Sequence, residues 1–200
     1  MPDYSLLSQR EARAKLGDDL VIQLGQLTAL AFAEFDGVVQ PSPLKTGWYL
    51  ARPGMDQELS GVAVCEGRIV SNVYVTRLRF PVGGQLLDVG MIDTVMTHPQ
   101  HRQRGLARRL LKRALSGLRA VGADATMLYT PPGSLPFRIY EKMGFRQIER
   151  SVEELREVEQ LTDYSPGRDE IRMCLDVRGR SRRMSWDLSL IHISEPTRPY

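Results

Sequence analysis

One continuous stretch limits this fold more than any other. Residues 93 to 121 read DTVMT, then HPQHRQRG, then LARRLLKRALSGLRAV: a short apolar strand, a polar loop and a helix. Leu106, Leu110, Leu111, Ala114, Leu115 and Leu118 recur at helical spacing and form one apolar stripe, and GAD closes the helix. The stretch commits the chain to a fold with both sheet and helix. Its loop and helix start also carry Arg102, Arg104, Arg108, Arg109, Lys112 and Arg113, with no acid among residues 101 to 113. Three readings of that charge compete: a basic helix for nucleic acid, a solvated helix face, or a grip on phosphate.

Charge elsewhere bears on the choice. The 200 residues hold 27 Lys and Arg against 24 Asp and Glu. The excess sits at the end, where Arg178, Arg180, Arg182, Arg183 and Arg198 face only Asp187 and Glu195. The body of the chain is therefore balanced. Residues 101 to 119 contain no aromatic side chain to stack on bases, which counts against nucleic acid as a partner.

At this length, with 42% hydrophobic residues, the chain has enough apolar surface for one sizeable core. Cys65 and Cys174 each lie in an apolar run outside any metal-like spacing, and read as buried thiols in a reducing compartment. The start, MPDYSLLSQREAR, lacks the order of a signal peptide. The longest apolar-leaning run, residues 21 to 33, is too short to span a bilayer. The expectation is a soluble cytoplasmic protein with no membrane partner. Residues 188–200, LSLIHISEPTRPY, resemble the in-frame translation of a sequencing adapter, so the natural chain is expected to continue differently after about residue 187.

Periodicity predicts a helix over residues 18–33 and a second over 43–51, joined by the loop EFDGVVQPSP. From Glu58 the chain turns rich in β-branched residues. ELSGVAVCE, RIVSNVYVTRLRF and LLDVGMIDTVMT read as three antiparallel strands, the first two joined at Gly67 and Arg68. After the basic helix come a strand ATMLYT, a helix PFRIYEKM capped by Ser134 and ended by Gly144, and strands FRQIER and EIRMCLDV. The acidic segment between those two strands is undecided between helix and excursion.

A strand ending at Thr97, followed by a loop and a helix from about Gly105, leaves backbone N–H groups pointing outward at a positive helix end. Gly105 lets the backbone approach an anion, Ala107 keeps the first turn free of bulk, and Arg102, Arg104 and Arg108 add donors. A pyrophosphate fits such a place. The spacing Arg102-x-x-Gly105-x-Ala107 resembles the R/Q-x-x-G-x-G/A motif of the GNAT superfamily of acyl-CoA-dependent N-acyltransferases, and Tyr140-Glu141-Lys142-Met143-Gly144-Phe145 is similar to that family's second signature.

The resemblance covers about residues 18 to 177 and implies an acyltransferase domain over 1–177, followed by a basic linker 178–187 and the adapter-like 188–200. It implies an α+β fold whose central, mostly antiparallel twisted sheet splays between its fourth and fifth strands and is flanked by helices. Acetyl-CoA would be the acyl donor. Backbone groups of Val95, Met96 and Thr97 would pair with its pantetheine arm like an added strand, and Gln103, Arg104, Gly105, Leu106, Ala107 and Arg108 would take the pyrophosphate.

Joining a thioester to an amine needs a neutral amine and a proton for the departing thiolate. By the resemblance Tyr140 supplies that proton; the alternative is a core aromatic, since Phe137, Tyr140 and Met143 share helical spacing. Asp93 is the candidate base, on a strand face shared with Met91 and Val95, against a structural hydrogen-bonding role. Glu34 and Asp36 are placed to attract a cationic acceptor, a small-molecule or peptide amine, with Trp48 or Tyr49 as an apolar wall. His98 and His101 form an HxxH pair without a nearby acid or cysteine, so no metal is expected. The expectation is an N-acetyltransferase; the alternative is a non-catalytic acyl-CoA sensor. The acceptor, the acyl length and the oligomeric state are not legible in the sequence.

Overall fold

The computed structural model of the protein describes residues 2–33, 42–82, 85–147 and 171–176. Glu34, Asp36, the acidic segment within residues 148–170 and the tail from residue 177 lie outside the described residues. The described residues of Met1–Arg77 and Gly90–Val121 form one compact unit, and those of Leu78–Val89 and from Gly122 onward form another.

The first unit begins with two elements that the sequence reading missed, strand β1 (Ser5–Ser8) and helix α1 (Gln9–Leu16). A capping box starts α1: Ser8 Oγ accepts from Glu11 N while the Glu11 carboxylate accepts from Ser8 N. Helices α2 (Asp19–Ala31) and α3 (Pro43–Ala51) fall where the periodicity places them, and Ser42 caps α3. Strands β2 (Gly61–Cys65), β3 (Arg68–Val82) and β4 (Gln85–Thr97) follow, the last two crossing between the units. The hairpin turn falls on Glu66 and Gly67, one residue earlier than the Gly67 and Arg68 read from the sequence: their φ of 50° and 75° are the paired left-handed geometry that closes a two-residue hairpin, and Arg68 already pairs with Cys65 in the ladder. In this unit the sheet order is β1-β2-β3-β4, and the β1–β2 and β2–β3 ladders are antiparallel.

One side of this sheet is covered by the first three helices. Ala12, Leu20, Leu24, Leu27 and Leu50 cluster with Val62, Ile69, Tyr74 and Met96. Each fully buried leucine contributes roughly 1.5–3 kcal/mol of transfer free energy. Helix α4 (Leu106–Ala120) packs its stripe of Leu106, Leu110, Leu111, Ala114, Leu115 and Leu118 against the strands and sits close because glycines admit it. A Cβ on Gly61 would lie 3.2 Å from Leu110, and one on Gly90 would lie 2.4 and 2.5 Å from the two methyls of fully buried Leu118. Gly90→Ala is therefore expected to cost about 2 kcal/mol and to lower the melting temperature by roughly 4–8 °C. An unchanged melt followed by circular dichroism would refute this packing.

In the second unit, β5 (Ala125–Thr130), helix α5 (Leu135–Lys142), β6 (Arg146–Gln147) and β7 (Ile171–Asp176) give the order β4-β5-β7-β6. The ladders of β7 with β5 and β6 are antiparallel, while β5 runs parallel to β4. The fold is thus a mixed, mostly antiparallel sheet with flanking helices, as expected. Ser134 Oγ accepts from Phe137 N and caps α5, and Gly144 follows its end at φ 95°.

Candidate functional site

The loop before α4 is a single 3-10 turn, Pro99–His101, followed by two residues in left-handed backbone, Gln103 at φ 63° and Gly105 at φ 70°. Gly105 is the N-cap residue of α4, and it provides no side chain to bond the first-turn amides. The first turn contains no acid either. Arg109 N, bonded to Gly105 O at 3.0 Å, is the first amide with a helical partner. The amides ahead of it are donors without an intrahelical acceptor, at the positive end of the helix dipole. A Cβ built on Gly105 would meet nothing within 4 Å, so the space beside the N-cap residue itself is open. Arg104 and Arg108 are exposed beside it.

Arg102 behaves differently from the sequence reading, which counted it among the anion's donors. Its Nη2 donates to Ala31 O at the end of α2 (3.2 Å) and its Nε to Thr97 O (3.4 Å). The guanidinium satisfies a helix C-terminus and ties the loop down. The other side of the loop is braced by the N-terminal segment. Tyr4 Oη lies 2.9 Å from His101 Nδ1, and the Arg104 guanidinium lies 5.9 Å from the Tyr4 ring centre. His98 Nδ1 accepts from Gln100 N. Partial burial, then His98 and Arg104, hold the His101 imidazole below its ordinary pKa. Among the described residues no group of three or more His, Cys, Asp or Glu side chains is placed to hold a metal ion.

Strand β4 contains an irregularity that the sequence did not show. Thr94 has φ 45°, a left-handed value that a β-branched residue adopts only at a cost. One such residue shifts the alternation of side chains by one. Gly90 faces Leu118 of α4, whereas Asp93 meets Tyr49 and Arg52, and Met96 meets Thr28 of α2. Residues 93 and 96 therefore share a face, and the expectation that Asp93 shares one with Val95 does not hold.

Asp93 is held by three donors. Tyr49 Oη and Thr94 Oγ1 donate to its Oδ1, the latter at 3.0 Å, and Arg52 Nη2 pairs with its Oδ2 at 2.5 Å. Arg52 also donates to Thr76 Oγ1 and lies 3.8 Å above the Tyr49 ring, which in turn packs on Tyr74 at 4.9 Å. Burial, and next the Asp93 carboxylate, push the Tyr49 hydroxyl well above the ordinary tyrosine range, so it keeps its proton. Tyr49 is half-buried in this cluster and Trp48 is exposed, so Tyr49 is the aromatic that meets the strand. Arg52 was missed by the sequence reading; it follows α3 in a loop, where no periodicity marks it.

Tyr140 belongs to the second unit, on α5. Its side chain is buried, with its ring 5.8 Å from that of Phe145, and burial raises its hydroxyl to about 12. Phe137 and Met143, its neighbours at helical spacing, are only partly buried.

Residues 14–148 match the acetyltransferase (GNAT) domain family. A glucosamine 6-phosphate N-acetyltransferase of Trypanosoma brucei brucei is 36% identical over 87 residues, which cover 43% of this chain and 56% of that protein. The chain thus spans little more than half the length of this curated relative. Among solved structures, a Trypanosoma brucei acetyltransferase matches with TM-score 0.55 and 25% identity over 75% of this chain and 97% of its own. A GNAT family acetyltransferase from Brucella melitensis, solved in complex with acetyl-CoA, matches with TM-score 0.54 and 18% identity over 88% of this chain and 89% of its own.

Proposed function

This chain belongs to the GNAT acetyltransferase family, and we propose that it transfers an acetyl group from acetyl-CoA to a primary amine by direct attack, without an acyl-enzyme. The observation that carries the proposal is the start of α4, where the first turn has no acid, the N-cap residue offers no capping side chain, and a Cβ on Gly105 would meet nothing within 4 Å. A polyanion fits there and a neutral ligand gains little.

In this reading the amides from Gln103 to Arg108 hold the pyrophosphate, with Arg104 and Arg108 adding charge, and Arg102 holds the loop in shape. Val95, Met96 and Thr97 present backbone groups to the pantetheine arm. Met96 O already accepts from Ser71 Oγ at 2.8 Å, but a carbonyl has a second lone pair. Bound acetyl-CoA supplies an activated acyl group as a thioester. Tyr140 keeps its proton across the neutral range and offers it to negative charge developing on sulfur. Asp93 accepts the amine's proton on Oδ1 once one of the two hydroxyls bonded there, Tyr49 Oη or Thr94 Oγ1, gives up its bond, and the pair between Oδ2 and Arg52 survives. Tyr49 and Arg52 form the acceptor wall, and Glu34 and Asp36 attract the amine. The relative's name makes glucosamine 6-phosphate the first acceptor to try, ahead of peptide amines. Among the described residues no helix is long and apolar enough to cross a membrane.

The test is the melting temperature of the full chain with and without acetyl-CoA. At a concentration about 100 times Kd the stabilisation is about 2.7 kcal/mol, or roughly 5–10 °C for a protein of this size. A folded sample that shows no rise overturns the proposal. Binding without CoA release in the presence of any amine points to the sensor instead, and an acyl-enzyme trapped on rapid quenching rules out direct attack.

A further inference from the structure

Gln9 and Asn72 are large polar side chains with no solvent exposure, and the reaction scheme uses neither. They form a chain of amides that ends on β4. Gln9 Nε2 donates to Asn72 Oδ1 at 2.8 Å, and Asn72 Nδ2 donates to Thr94 O at 3.4 Å. The orientation of both amides is dictated by the last acceptor. A backbone carbonyl can only accept, so Asn72 must turn its NH2 toward Thr94, which leaves its oxygen for Gln9 and requires Gln9 to present its own NH2. Gln9 Oε1 is left buried without a partner. A fully buried amide that leaves one oxygen unsatisfied is retained at a cost.

What it holds is the strained point of β4. Thr94, at φ 45°, is where the alternation of the strand slips by one residue, and Val95, Met96 and Thr97 follow directly. Left-handed backbone at a β-branched residue persists only where its surroundings fix it. The Thr94 hydroxyl is fixed on one side by Asp93 and Tyr49, and its carbonyl is fixed by Asn72. Gln9 is anchored in turn as the first residue of α1, with its N–H on Ser60 O at 2.9 Å and the Ser8–Glu11 capping box beside it.

We propose that Gln9 and Asn72 are positioning residues that set the backbone of Val95–Thr97 for the acyl donor. The proposal rests on the acetyl-CoA reading above. Its test is Asn72→Asp in the full chain, with acetyl-CoA affinity measured by calorimetry from pH 5.5 to 8 at a temperature well below the melt. An ionised carboxylate has no proton for Thr94 O, whereas the protonated form donates again, and burial raises the pH at which the change occurs.

The ratio of variant to wild-type Kd is expected to reach about tenfold at pH 8 and to fall to within about twofold at pH 5.5. Using the ratio removes the titration of the ligand's own phosphates. A ratio that stays near one throughout, or a loss that does not change with pH, overturns the proposal. Gln9→Met removes the first donor while keeping the volume; it should weaken binding about threefold, and it decides the matter if Asn72→Asp does not fold. If Gln9→Met binds like wild type, the relay has no positioning role. If the wild-type chain itself does not bind acetyl-CoA, the functional reading fails and the relay proposal falls with it.

Discussion

Gly105→Asp is expected to abolish the rise in melting temperature with acetyl-CoA while leaving a folded protein. Asp is tolerated in left-handed backbone better than most residues, and the space around a Cβ at this position is open. The fold should therefore lose no more than about 1–2 kcal/mol. Binding should lose far more. A carboxylate about 5 Å from a bound phosphate opposes it by about 3 kcal/mol at the effective dielectric of a protein surface, a weakening of Kd of at least about 100-fold. Gly105→Asn separates charge from backbone strain, because it has the same shape without the charge. The Asn variant should keep most of the affinity, and equal losses in both variants would mean that the site depends on backbone shape and carries no anion.

Tyr140→Phe should lower kcat by about 100-fold and leave the Kd for acetyl-CoA within about twofold. The substitution removes only the hydroxyl, and the buried ring keeps its contact with Phe145. Unchanged kcat would return Tyr140 to the core aromatic that its helical spacing also allows. The same variant checks the ionisation. Burial raises the hydroxyl from 10.0 to about 12, so the unfolded chain loses this proton first and the folded protein loses stability as pH rises from 10 to 12. Part of that alkaline loss should disappear in the Phe variant, as measured by denaturant melts at pH 9 and pH 11.

Local signals in the chain were enough to place α2, α3, α4 and α5, because an apolar stripe or a capping serine needs nothing beyond its neighbours in sequence. The unsatisfied amides at the start of α4 are local in the same sense, since a helix end determines its own free donors, whereas the hairpin was legible only to within a residue, read at Gly67 and Arg68 and found at Glu66 and Gly67. Strand β1 and helix α1 went unread although Ser8 and Glu11 spell a capping box. The strand is only four residues long, and its pairing with β2 spans more than fifty positions.

The sequence by itself thus determined the family, the order of most elements and the helix start whose first-turn amides lack a cap. The tertiary structure alone decided where polar side chains end up. It engaged Arg102 with the end of α2, brought Arg52 and Tyr49 to Asp93, and placed Gln9 and Asn72 beneath the slip in β4. Helical periodicity is a property of neighbouring residues, whereas a side-chain hydrogen bond joins residues tens of positions apart and exists only once packing has excluded water from both partners.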